Sequence, residues 1–170
     1  AGTYTIAIDR APEYRYYYVD ENIGVEVPEG TRPEGVGTKQ KPAKTYGDAT
    51  RLIAADGLSE IDVATIYVPS TSKSHWGSPV GTLKCTLIIA SVDKEQAYIE
   101  GDGGSLCTNT ILQNVYLDFT YKWSEFSLNE HDLTIDENSA LGANKVYMWS
   151  MGYGKKRVDD VTLIVKGKYL

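Results

Sequence analysis

The stretch VYLDFTYKW, residues 115–123, alternates without a break. Val115, Leu117, Phe119, Tyr121 and Trp123 fall on one side, and Tyr116, Asp118, Thr120 and Lys122 on the other. A period of two sends successive side chains to opposite faces, which a strand can use and a helix cannot. One face is written for a core and the other for water. The pattern recurs in TYTIAI (3–8), in YRYYYV (14–19), in DVATIYV (62–68) and in TLKCTLIIA (82–90). In the last two, Ala64, Ile66 and Val68 oppose Tyr67, and Leu83, Cys85, Leu87 and Ile89 share a side. NKVYMWSM and VDDVTLIVKG predict two late strands. The turns NIG at 22–24, GDGG at 101–104 and GYG at 152–154 break up the chain.

One short helix fits this pattern: Gly47-Asp48 opens it, ATRLIAA forms it and Gly57 closes it from the C′ position. No internal repeat stands out. Residues 28–45, PEGTRPEGVGTKQKPAKT, predict a long loop or extended arm. Buried parallel strands read as solid apolar runs, so clean alternation argues for antiparallel pairing. The expectation is one all-β domain over residues 1–170: an antiparallel β-sandwich of the jelly-roll type, with the 28–45 arm and at most one short helix.

Charge and hydropathy narrow the partners. The 170 residues carry a formal net charge of -6, which repels phosphate backbones and argues against nucleic acid. The basic runs Lys39, Lys41, Lys44 and Lys155, Lys156, Arg157 read as solvated loops. The longest apolar run, CTLIIA, falls far short of the ~18 residues of a membrane span. Ala1 fits either a cleaved leader or a removed initiator methionine. Cys85 and Cys107 form either one disulfide or two buried thiols, and their spacing matches no zinc site.

The aromatic residues carry the functional signal. With 13 Tyr and 3 Trp against 2 Phe, the chain favours rings with a polar handle. Such rings stack on pyranose faces at low entropic cost while polar neighbours read hydroxyls. Tyr147 and Trp149 sit two apart, about 6.6–7 Å along a strand, and form a platform unless that face is core. Trp76, in SKSHWGSP, is a loop contact or a plug beneath the loop, whereas Trp123 belongs with the core. Tyr116, Asp118 and Lys122 read hydroxyls if their strand lines a concave sheet, and otherwise form a solvated face. In YRYYYV, Tyr14, Tyr16 and Tyr18 cap the core edge, and Tyr17 with Arg15 offers a candidate contact.

Catalytic signatures are sparse. His75 and His131 are the only histidines, and no Gly-x-Ser-x-Gly elbow, HExxH, P-loop or GxGxxG occurs. Asp118 and Glu125 act as glycosidase carboxylates only at the right separation. A non-enzymatic role is expected.

The run NKVYMWSMGYGKKRVDDVTLIVKG, preceded by YKWSEFSL, resembles the end of galactose-binding-like β-jelly-roll domains. These are common among carbohydrate-binding modules of polysaccharide-degrading enzymes. The resemblance covers roughly the last third of the chain. It implies a glycan ligand, an extracellular or cell-surface setting, and a structural calcium ion with Asp159 or Asp160 as one oxygen ligand. The same pair also fits a turn at strand entry. The leading expectation is a non-catalytic carbohydrate-binding module. The alternative is a structural subunit of a virion, surface layer or filament, whose 28–45 arm and tyrosine-rich strand contact copies of itself or other coat subunits.

Overall fold

The computed structural model describes residues 2–4, 10–148 and 163–165, the last segment by its backbone. Among the described residues the first elements are β1 (Tyr14–Tyr18) and a single helix, α1 (Tyr46–Asp56). The chain then winds in coils. The first carries β2 (Val63–Val68) and β3 (Ser74–His75), and the second β4 (Thr86–Ser91), β5 (Ala97–Glu100) and β6 (Gly104–Ser105). The third carries β7 (Thr110–Gln113), β8 (Val115–Phe119) and β9 (Glu125–Ser127). The fourth carries β10 (Leu133–Ile135), β11 (Ala140–Ala143) and β12 (Lys145–Tyr147), and β13 (Leu163–Val165) follows.

Strands from successive coils stack into three sheets, ordered β1-β2-β4-β7-β10-β13, β11-β8-β5-β3 and β12-β9-β6. Every pairing among these strands is parallel. The architecture is a parallel β-solenoid of about four turns. It replaces the antiparallel jelly-roll sandwich expected from the alternation. The rule that parallel strands read as solid apolar runs holds where helices cover both sheet faces. A solenoid wraps its sheets around its own interior and leaves the outer face to water, so parallel strands here keep the period of two.

Nor is the sequence free of repeats. Val63 pairs with Thr86, Leu87 with Thr110 and Thr110 with Leu133, a step of 23 residues each time. This step builds inward ladders from like residues. Ala64, Leu87, Thr110 and Leu133 form one column, and Ile66, Ile89, Leu112 and Ile135 the next, all buried. Each fully buried aliphatic side chain contributes about 1.5–3 kcal/mol of transfer free energy.

The second and third sheets close the interior around rings. Trp76 is 1% exposed and stacks on Tyr46 of α1 with ring centroids 3.8 Å apart. Phe119 and Phe126 meet its edges at 5.3 and 5.9 Å. A Cβ on Gly104 would lie 2.6 Å from Phe119 Cε1, so only glycine fits beside this cluster. Cys85 and Cys107 are free buried thiols, and burial pushes the Cys107 thiol up to about 11.

Helix α1 begins at Tyr46, one residue before the expected Gly47-Asp48 start. Thr45 caps it, accepting from Asp48 N at 3.1 Å, while Asp48 accepts from Thr45 N at 3.1 Å, completing a capping box. Gly57 ends it in the left-handed region, φ 66. Its buried Tyr46, Ala49, Leu52 and Ile53 join the core. Residues 28–45 do not project as an arm. Val36 and Ala43 are buried, Tyr18 N donates to Gly37 O at 2.8 Å, and Ala43 N donates to Tyr18 O at 2.9 Å.

Candidate functional site

The outer face of the second sheet gathers the chemistry. Pairing aligns His75, Glu100, Asp118 and Gly142 in one row across the strands, and Tyr98, Tyr116 and Ala140 in another. Neighbours within a row stand about 4.8 Å apart, and the two rows about 6.6–7 Å apart. The first row is polar and the second aromatic. Both follow from the period of two: Ala97, Ile99, Val115 and Leu117 turn inward and send Tyr98, Glu100, Tyr116 and Asp118 outward.

The polar row is cross-linked. Lys73 Nζ lies 3.0 Å from Glu100 Oε2, and His75 Nε2 lies 3.0 Å from Glu100 Oε1. The other ring nitrogen, Nδ1, lies 2.5 Å from Glu21 Oε2. Asp118 accepts from Thr120 N at 2.9 Å, from Thr120 Oγ1 at 2.6 Å and from the Tyr98 hydroxyl. Burial works against its charge, but the hydrogen bonds from Thr120 and Tyr98 prevail and hold Asp118 below the usual carboxylate range. The Tyr98 phenol is pushed up, first by donating to Asp118 and then by burial. Asp118 is thus an anion at neutral pH and Tyr98 a neutral donor. The two tyrosines of the aromatic row meet edge to face at 5.4 Å.

A groove of about 690 Å³ opens here, lined by Lys73, His75, Glu100, Asp102, Asp118 and Tyr121 among others. Tyr121 belongs to the turn 120–124 between β8 and β9. That turn is braced by Asn144, whose side-chain amide donates to Lys122 O at 2.7 Å and Thr120 O at 3.2 Å. Trp123, in the same turn, is 91% exposed rather than buried with the strand that precedes it. The strand ends at Phe119, so the alternation of VYLDFTYKW does not carry past the turn.

The residues singled out in the sequence scatter. Tyr116 and Asp118 lie on the outward face as expected, and Lys122 sits in the adjoining turn with Nζ 4.9 Å from the Tyr121 ring centre. Trp76 is the plug and not the loop contact, because its ring is buried and stacked on Tyr46. Tyr17 is likewise interior, its hydroxyl donating to Asp56 at 2.7 Å. Arg15 is on β1 and pairs with Glu13 at 3.1 Å. Tyr147 stands on the third sheet, donating to Glu125 at 3.2 Å, and shares no row with Asp118. Trp149, Asp159 and Asp160 lie outside the described residues. Among the described residues no group of three or more His, Cys, Asp or Glu is arranged to hold a metal ion.

Lys73, Tyr98, Glu100 and Tyr121 were not among the sequence candidates, and His75 was weighed only as a catalytic residue. The signal for two of them is the short alternation AYIE at 97–100, which puts Tyr98 and Glu100 opposite Ala97 and Ile99. No helix among the described residues is long and apolar enough to cross a membrane. No family model, no curated protein and no solved structure matches the chain.

Proposed function

We propose that the groove on the second sheet binds a glycan without cleaving it. The observation that carries this reading is the lining of the groove: hydrogen-bonding His75, Glu100 and Asp118 together with the ring of Tyr121. A sugar offers hydroxyls to the first row and C–H faces to rings, and an open concave site with a few convergent polar groups suits it. The exposed Trp123 stands in the same turn as Tyr121, and Tyr98 and Tyr116 lie beside the polar row without lining the groove. Binding without turnover fits the state of Asp118. Glycoside hydrolysis needs one carboxyl that gives up a proton. Here hydrogen bonds keep Asp118 ionised. Glu125, the other carboxylate weighed for such a pair, lies on the third sheet.

The test is affinity electrophoresis against a panel of neutral, amino and acidic polysaccharides. Retardation by at least one class is expected. Asp118→Asn should weaken it about tenfold, since hydrogen bonds to a charged group contribute about 1.5–3 kcal/mol. Unchanged retardation in a folded Asp118→Asn, Tyr121→Ala double variant would place the site elsewhere. Free migration in every gel would defeat the reading.

A further inference from the structure

Building on the glycan reading, we infer that the groove selects its sugar by charge, accepting ammonium-bearing sugars over neutral ones and turning away uronates and sulfate esters. The argument is a balance of partners. Lys73 is engaged by Glu100, and the two ring nitrogens of His75 by Glu100 and Glu21, so the basic side chains of the groove already have carboxylate partners. The hydrogen bonds to Asp118 come from neutral donors, the Tyr98 hydroxyl and the Thr120 hydroxyl and N–H. Asp102 has neither a hydrogen bond nor an ion pair among the described residues. Lys73 acts on Asp118 through charge as well as on Glu100 through contact, so three carboxylates, Glu100, Asp102 and Asp118, line the groove against one lysine and one histidine. Lys122 does not line it and lies over the Tyr121 ring.

A concave site with one sign of charge in excess focuses that potential on whatever enters. Carboxylates only accept hydrogen bonds, and an ammonium group brings three donors and no acceptor. A uronate or sulfate would bring acceptors and negative charge to acceptors already negative. The chain's net charge of -6 adds in the same direction.

The experiment measures equilibrium binding of the whole chain to short oligomers of glucosamine, N-acetylglucosamine and galacturonate. Mildly acidic pH keeps the sugar amine charged, while Asp118, held below its usual range, stays an anion. Glucosamine oligomers should bind roughly fivefold more tightly than their N-acetylated counterparts at low salt, the scale of a partly exposed ion pair. The gap should close to within about twofold at about 0.5 M salt, and Asp102→Asn should narrow it at low salt. Galacturonate should bind weakest. Galacturonate binding as tightly as glucosamine would overturn charge selection and leave glycan binding standing. A preference insensitive to salt and to Asp102→Asn would overturn the assignment to these carboxylates. Failure of all three oligomers, together with free migration across the polysaccharide panel, would remove both readings.

Discussion

Two tryptophans exchange the places their sequence contexts suggest. Trp76 follows a Ser-rich stretch and precedes Gly77, yet it fills the aromatic core. Trp123 closes the cleanest alternating run, yet it stands 91% exposed. Parity along a strand predicts a face only while the strand lasts, and a turn resets it. The buried Trp76 Nε1 has no hydrogen-bond partner, so ring packing alone holds this side chain in place. Trp76→Ala should cost about 3–5 kcal/mol in denaturant unfolding, as for other large buried rings. Trp76→Phe should cost much less, because it keeps ring contact and removes the orphan N–H. Equal losses from the two substitutions would mean that the indole contributes something beyond packing.

The individual strands were legible because each states its inner face within a few residues. Ala64, Ile66 and Val68, then Leu83, Cys85, Leu87 and Ile89, are buried as their spacing requires. The helix was legible from its body and its closing Gly57, but not from its N-cap Thr45. Strand partners were not, since an alternating strand pairs equally well in either direction. What fixes β2 in place is Asp62 at its entry. It accepts from Arg10 Nη1 at 2.8 Å, Glu13 N at 2.9 Å and Ser59 N at 2.7 Å. The Arg10 hydrogen bond, then those from Glu13 and Ser59, hold its carboxyl well below the usual range. A carboxyl depressed on folding stabilises above its unfolded pKa of about 3.9, and that contribution is lost as pH falls through the lower folded value. Asp62→Asn should therefore lower the thermal midpoint at neutral pH, and the difference from wild type should shrink below about pH 4. A difference constant from neutral pH into strong acid would mean that the ionised carboxylate is not what anchors the strand.

For the molecule as a whole, stability should be distributed as in other stacked repeats, where each coil rests on its neighbours. The coils holding β4, β5, β7 and β8 have a coil on either side, and β1 is the edge strand of the first sheet. Hydrogen exchange should be slowest in those four strands and faster in β1. Uniform protection over all of them would indicate a single cooperative block. The repeat that produces this arrangement escaped notice in the sequence because its corners differ. Five residues, 92–96, join β4 to β5, whereas Asn114 alone, at φ 58, joins β7 to β8. The outer face of the second sheet was half legible, through Tyr116 and Asp118. The other half depends on coils stacking in parallel, which brings His75 and Glu100 alongside Asp118 although they are far apart along the chain.

Unequal corners within an equal 23-residue step have a consequence for how such a chain diverges. From β2 to β10 the first sheet keeps the circumference of a coil and not the length of any one bend, and the step to β13 is 30 residues. Residues lost at one bend can be regained at the next while the inward ladders keep their register. The turns 101–103 and 120–124, which bring Asp102 and Tyr121 to the groove, are two such bends. Descendants of this chain are free to trade length between them, acquiring new ligand preferences on an unaltered interior.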